Sequence, residues 1–352
     1  MNEALQQILK KYYEQNYFTG AICLVKKDDE TIAQLAYGYQ NEDRNVPINE
    51  TSIFDLASVS KLFTTTMILK LITDRTIQLD STLKDTLPKV KGNSVLERIT
   101  IKQLLTHSSG LLGWYPFYSE LPNDDLYAIL NKIPLEHHED KTVYSDLNFI
   151  LLGEVIKQQT NKSLQDAVTE YIVKPLKMDS LTYGPIPQDG KIVATEFGNQ
   201  IEMKMCADRN KQFGNFRDTT VPIVGEVNDG NCHYFFKGQS GHAGLFANAN
   251  DVSKLGELYL KGGFTGEKAY IDEALIFESM KDQIDGRGLG WQINAPFPTG
   301  CGHTGFTGTS LWLVPKKRLQ VVLLTNRLNV EKPTNINKFR EEIFSQVLNT
   351  IH

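Results

Sequence analysis

Cysteine is scarce in this chain. Four stand among 352 residues (Cys23, Cys206, Cys232 and Cys301), far apart and never in a C-x-x-C spacing. That excludes a disulfide-stapled scaffold and a cysteine zinc ribbon, and it reads as reduced thiols in a reducing compartment. A basic excess is missing too: 37 Lys and Arg face 42 Asp and Glu, for a net charge of −5. Nucleic acid is therefore not an expected partner. Glycine (26) and proline (13) are too few for a collagen-like or low-complexity architecture. Long apolar runs are absent. The strip Leu319 to Leu324 is strand-sized, well short of the roughly 20 residues of a membrane span. The opening MNEALQQILKKYYEQNY has no apolar core of about 7–15 residues, as a signal peptide would. The expected location is cytoplasmic, with no membrane partner. What remains is an ordinary soluble composition, 41% hydrophobic and 22% charged, in a length that at about 150 residues per domain allows one to three domains.

Hydrophobic periodicity orders the chain. Ala4, Leu5, Ile8, Leu9 and Tyr12 fit an amphipathic helix. Ala21 to Val25 and Thr31 to Tyr37 are β-type runs around the polar stretch Lys26 to Glu30, a hairpin signal. Phe54 to Ile72 is apolar almost all round and reads as a helix buried inside a domain. Residues 76 to about 235 carry helical patches broken by Pro, Gly and Asn, at 101–105, 124–130, 147–158 and 164–172. From about 285 the β pattern returns, at 289–293, 309–314 and 319–325, and 335–348 closes as an amphipathic helix. The expected fold class is α/β of the α+β type: an antiparallel sheet flanked by helices, formed by residues 1–75 and 236–352, with a mostly helical domain, 76–235, inserted.

Three short segments can carry chemistry. Ser58-Val59-Ser60-Lys61 is an S-x-x-K that opens the apolar helix and puts Lys61 on the same face as Ser58. Desolvation there would lower the lysine pKa and free an amine to take the serine proton. The same tetrapeptide also fits a helix-capping serine beside a surface lysine, and Ser81-Thr82-Leu83-Lys84 matches the spacing as well, with Ser81 expected to cap a surface helix. Tyr144-Ser145-Asp146 precedes a helical run; Tyr144 could relay a proton, or it is a core aromatic beside a helix cap. Gly302-His303-Thr304-Gly305-Phe306-Thr307-Gly308 lies between β segments, either a glycine-rich turn or a strand edge offering a backbone N–H to an oxyanion. Among the histidines, His137-His138 read as a solvated loop and not a metal site, His107 as a residue that pins its own turn, and His242 as either pocket-lining or backbone-bonded. Trp114 to Tyr118 is an aromatic cluster, a substrate wall or inter-domain packing.

In this order and with these gaps, the three segments resemble the penicillin-recognising serine hydrolases: serine β-lactamases, D,D-peptidases and related esterases and amidases. Tyr144-Ser145-Asp146 looks like the Y-x-N element of class C enzymes, and His303-Thr304-Gly305 stands where K-T-G is usual. Leu104 to Leu111, Phe149 to Gly153 and Gly241 to Phe246 support the match, which runs from about residue 15 to 350. The resemblance implies a β-lactamase/transpeptidase-like fold. It implies Ser58 as acylated nucleophile, Lys61 as its base, Tyr144 as proton relay and His303 in the position of the third-motif lysine. The oxyanion hole would be formed by the backbone N–H groups of Ser58 and Phe306, with Asp146, Thr304 and Gly305 contacting substrate. No cofactor or metal is implied.

Two departures bear on substrate. Asp146 replaces an asparagine, so an acceptor-only carboxylate sits beside Lys61 and would raise its pKa. His303 replaces a permanently charged lysine and is expected to be partly charged near pH 7. Both point away from β-lactams and toward the family's amidases and esterases. Gly225 to Asn231 and Gly238 to Phe246 are similar to muropeptide amidases, which cleave between N-acetylmuramic acid and L-alanine. The expected activity is acyl transfer from a cell-wall-derived muropeptide or a D-amino-acid-containing peptide to Ser58, then to water. The alternatives are a broad carboxylesterase, a weak β-lactamase, or a silent ligand-binding domain on the same scaffold. The expected partner is a small-molecule or peptide substrate; oligomeric state leaves no trace in the sequence.

Overall fold

The computed structural model describes residues 1–93, 95–134 and 141–351. The expectation for His137-His138 lies outside the described residues. At the centre is a five-stranded antiparallel sheet in the order Glu30–Gly38, Gly20–Lys27, Leu319–Thr325, Ser310–Val314, Cys301–Thr304. The N-terminal hairpin thus pairs with the last strand of the chain, in the register Cys23↔Leu323 and Val25↔Val321.

Strand alternation explains the layers. Ala21, Cys23, Val25, Trp312, Leu319, Val321 and Leu323 face one side and pack with helices Asn2–Glu14 and Asn337–Thr350 through Leu5, Leu9, Phe339 and Phe344. Ile22, Leu24, Leu311, Leu313, Val322 and Leu324 face the other side, against helices Ser60–Thr73 and Ala249–Leu260. That second apolar cluster continues without a break into residues 76–235, joining helix Ser60–Thr73 to helix Asp146–Thr160 through Leu62, Phe63, Phe149 and Leu152. Burial on every side is why the 60–73 stretch shows no amphipathic stripe; even Thr64, Thr65 and Thr66 are inside.

Three local expectations need correction. The apolar run from Phe54 is not one helix. Phe54–Asp55 form a short strand paired with Ala247 and Phe246, Ala57–Val59 a 3-10 turn, and the helix starts at Ser60. The Asp55 side chain holds this turn by accepting the Ala57 N–H at 2.8 Å. Residues 289–293 are not a strand: one bridge, Gln292 to Gly302, joins them to the sheet. Gly290 turns the chain there with φ +77° and donates its N–H to Leu105, and a Cβ on it would meet Thr65 Oγ1 at 2.0 Å. Ser81 is not the helix cap. Thr82 caps helix Leu83–Thr86 in a capping box with Asp85, while Ser81 Oγ accepts from Gln78.

Candidate active site

The turn that presents Ser58 is held by three residues, one strained and two anchoring it. Ala57 sits at φ +45°, a sparsely populated region for a residue with a Cβ. Asp55 fixes it from one side, and Leu56 N–H donates to Leu245 O at 2.9 Å from the other. Ser58 then lines a cleft of about 610 Å³, and Lys61 lies one turn on, fully buried beneath it. Lys61 Nζ is 2.9 Å from Ser58 Oγ, 3.0 Å from the His242 carbonyl and 2.7 Å from Asp146 Oδ1. Burial acts to lower the Lys61 pKa, but the Asp146 carboxylate and the Tyr144 side chain outweigh it and hold the group above its ordinary value. Lys61 is an ammonium, as the pairing with Asp146 leads one to expect.

Asp146 starts helix Asp146–Thr160, where the positive end of the helix favours a carboxylate. Its own N–H donates to Gly113 O, and Ser145 Oγ donates to Leu112 O, so two bonds tie this helix end to residues 112–113. Tyr144, immediately before, lies with its ring centroid 5.1 Å from Lys61 Nζ. Burial raises the pKa of its phenol, the lysine opposing, so the group is neutral.

The third segment reaches the site from the far end of the chain. His303 is in the edge strand and Gly305-Phe306 in the turn after it. Thr307 Oγ1 donates to Asp55 O and Thr309 Oγ1 to Leu56 O, both at 2.8 Å, which clamps this turn onto the turn that presents Ser58. The Gly305 carbonyl accepts from Gly308 N at 3.0 Å and Arg340 Nη2 at 3.2 Å. Across a planar trans peptide the Phe306 N–H must then point the opposite way. A Cβ at Gly305 would meet Thr309 Oγ1 at 2.0 Å and Leu56 O at 2.6 Å, so this position requires glycine for the close approach.

His303 corrects an expectation. It is not partly charged near neutrality: burial, reinforced by Lys61 and Arg287, pushes its pKa down to about 3. Its Nδ1–H donates to the Thr304 carbonyl at 2.9 Å, leaving Nε2 as a buried acceptor without a protein partner. Thr304, Gly305 and Phe306 line the cleft, and Phe306 is 40% exposed at its lip. The structure therefore brings Ser58, Lys61, Tyr144, Asp146, His303, Thr304, Gly305 and Phe306 to one place.

Other residues of the cleft had no signal in a motif. Arg287 lies over the Tyr144 ring at 5.4 Å; Arg327 donates to Phe306 O and Thr334 O; Arg340 donates to Asn337 Oδ1, Gly305 O and Thr309 O. All three line the cleft, and none forms an ion pair with a carboxylate among the described residues. Arg340 is 5% exposed with an unpartnered Nε, and burial together with Arg327 pushes its pKa down to about 9. Facing them are Glu202 and Asp229. Burial and the Asp229 charge raise Glu202 well above the carboxylate range. Burial would raise Asp229 too, but His242, 2.9 Å away through Nε2, holds it below. The His242 ring is neither backbone-bonded nor among the cleft-lining residues: it bonds the side chains of Ser240, through Nδ1, and Asp229, through Nε2. Asp146, Asp229 and His242 each place a ligand atom within 4.8 Å of the others, a spacing that suits a cation, and the Lys61 ammonium supplies positive charge there. Trp114 lines the cleft, while Phe117 and Tyr118 are buried in the core. Among the described residues no helix is long and apolar enough to cross a membrane, and all four cysteines are buried and free.

A helix-backed antiparallel sheet with a serine and a lysine one helical turn apart at the floor of a cleft defines the β-lactamase/transpeptidase-like class. The chain belongs to the Beta-lactamase family, whose model matches residues 5–342, and it is a hydrolase of that family. It is 29% identical to an N-acetylmuramyl-L-alanine amidase of Bacillus subtilis (strain 168), over 93% of this chain and 82% of that protein. It is 28% identical to a putative D-alanyl-D-alanine carboxypeptidase of Escherichia coli (strain K12), over 86% and 77%. In fold it is similar to a β-lactamase/D-alanine carboxypeptidase from Pseudomonas syringae, with TM-score 0.77 and 18% identity over 99% of each chain.

Proposed function

We propose that this protein is a serine amidase acting through an acyl-enzyme on a cell-wall-derived muropeptide or a D-amino-acid-containing peptide. The observation that carries the proposal is the Ser58 Oγ to Lys61 Nζ contact of 2.9 Å at the base of a cleft that can hold a peptide-sized ligand. Ser58 attacks the carbonyl, the N–H groups of Ser58 and Phe306 hold the oxyanion, and Tyr144 with Lys61 moves protons. The three arginines without carboxylate partners favour an acidic substrate portion, as a cell-wall peptide has, and the relative named an amidase agrees with an amide substrate. Four buried free thiols fit the expected reducing compartment.

A second reading, a ligand-binding domain without turnover, draws on the Lys61–Asp146 pair, which keeps Lys61 charged. One experiment separates them. Wild type and Ser58→Ala are incubated with a fluorophosphonate and weighed intact. A single adduct on wild type and none on the variant is expected; a folded wild type that stays unmodified, also by a smaller sulfonyl fluoride, sinks the hydrolase proposal. Matched muropeptide, ester and β-lactam substrates then distinguish amidase from carboxylesterase or weak β-lactamase.

A further inference from the structure

We infer that Asp146 is the proton acceptor of the acylation step, reached from Ser58 through Lys61; the inference rests on Ser58 being the nucleophile. An ammonium has three N–H donors and no lone pair. Lys61 donates to Ser58 Oγ at 2.9 Å and to His242 O at 3.0 Å, and its Nζ is ion-paired with Asp146 Oδ1 at 2.7 Å. In this arrangement Lys61 gives a hydrogen bond to Ser58 and has nothing with which to take its proton. Nitrogen gains a lone pair only by releasing a proton to one of its three partners. The His242 carbonyl is too weak a base to hold one, and Ser58 is the group to be ionised. That leaves the Asp146 carboxylate, which also lines the cleft and can exchange with solvent.

Neighbouring groups do not offer a better acceptor. Tyr144 is a phenol whose pKa is already raised. His107 is buried and bonded through Nδ1 to the Ser145 N–H. His303 Nε2 is bare but makes no hydrogen bond to Lys61 or Ser58, its ring bonding the Thr304 carbonyl instead. Arg287 is a cation, and Asp229 accepts from His242 and from Cys232 N.

The step balances as follows. A proton passes from Lys61 Nζ to Asp146 Oδ1, leaving an amine and a carboxylic acid. The amine takes the Oγ–H proton as the Oγ–C bond forms and the carbonyl pair moves onto oxygen. On collapse the C–N bond breaks, and the leaving amine takes the Tyr144 proton. Tyr144 is reprotonated by Lys61, and Lys61 by Asp146, so every charge returns to its starting place. An asparagine at this position could orient Lys61 but could not hold the proton.

The test follows phosphonylation of Ser58 by a fluorophosphonate, read by intact mass across roughly pH 5 to 10, in wild type, Asp146→Asn and Asp146→Glu, with thermal melts to confirm folding. Wild type keeps its rate to lower pH than Asp146→Asn. Asp146→Asn must shed the Lys61 proton to solvent, so near pH 6 it labels at least about tenfold more slowly and its acid limb moves up by about two pH units, converging with wild type at high pH. Asp146→Glu returns the limb toward its original position. Should the Asn variant not fold, Asp146→Ser removes the carboxylate with a smaller group and is read the same way. Tyr144, His107, Arg287, His303, Asp229 and His242 face the pair in every variant, so the comparison isolates position 146. An unchanged profile, or an equal loss at every pH, overturns the inference. A wild type that does not label overturns instead the assignment of Ser58.

Discussion

The imidazole of His107 packs against the ring of Tyr144, centroids 4.7 Å apart, while its Nδ1 accepts the Ser145 N–H at 3.1 Å. One buried side chain thus sets both the height of the tyrosine and the start of the helix that presents Asp146. His107 is held at φ +56°, and burial, with the nearby Arg287 and Lys61 charges, keeps its pKa well below the ordinary value. His107→Ala leaves the Ser145 N–H without its acceptor and opens a gap behind Tyr144. We expect a lower Tm and about a tenfold slower labelling of Ser58 by a fluorophosphonate, equally at all pH values above 6. His107→Asn should keep most of the rate, because asparagine tolerates this backbone region and offers a carbonyl acceptor. A pH-dependent defect in either variant would contradict a neutral, positioning histidine.

Lys61→Ala removes the cation that touches Ser58 Oγ and leaves Asp146 without its Lys61 partner. Labelling of Ser58 should fall by at least about 100-fold. Added salt should not change the wild-type rate on a neutral probe, since the pair is screened from solvent by burial. A modest loss in the Lys61 variant would mean that Tyr144 alone deprotonates the serine.

Gly305→Ala tests the clamp between the two halves of the chain. Its Cβ would press on Thr309 Oγ1 and Leu56 O and push the Phe306 amide away from the cleft. The expected outcome is a folded protein with labelling reduced about 10²–10³-fold, the range for losing one oxyanion donor. Wild-type rates would show that the Phe306 N–H takes no part.

Arg327→Ala leaves the serine and its neighbours intact but removes one cation from the arginine side of the cleft. For substrates with a carboxylate in the leaving portion, KM should rise by about tenfold or more, as it should for wild type in high salt. A neutral ester with the same acyl group should be turned over as before. Equal effects on both substrates would assign Arg327 a structural role through Phe306 O and Thr334 O.

Glu196 connects pH to stability. It is 3% exposed, and burial pushes its carboxyl up from about 4.5 to about 7. A raised folded value means that the group favours folding while protonated, fully so below its unfolded value, and that this contribution is lost as pH rises through 7. Wild type should therefore be less stable near pH 8 than near pH 5.5. Glu196→Gln keeps an acceptor for the Ile201 N–H, and its advantage over wild type should be greater near pH 8 than near pH 5.5 by about 2 kcal/mol. Thermal melts at the two pH values decide this, and an equal Tm shift at both would refute it.

Parts of this molecule were legible in the sequence because they follow a simple local pattern. Strands 20–27, 310–314 and 319–325 are short apolar runs buried on both faces, and helices 2–14 and 337–350 carry one apolar stripe each. Ser58 and Lys61 were legible because one helical turn fixes their spacing, and His303 to Phe306 because glycines bracket them. Arg287, Arg327 and Arg340 were not, since each is an isolated basic residue whose meaning lies in sharing a cleft without forming an ion pair among the described residues. The Asp55 anchor was hidden inside an apolar run, and the kink at Gly290 broke what looked like a strand. The charge on His303 was misjudged because burial, which no local pattern reveals, decides it.

The central pairing of Gly20–Lys27 with Leu319–Thr325, and the hold of Thr307 and Thr309 on Asp55 and Leu56, have a consequence for how the protein is made. A nascent chain emerges with Ser58 early and its clamp about 250 residues later, so long-range closure must wait until residues 301–325 have left the ribosome. A ribosome-stalled chain ending before residue 301 would carry Ser58 and Lys61 and yet stay blind to a serine-directed probe. The moment labelling begins would time the closing of the sheet.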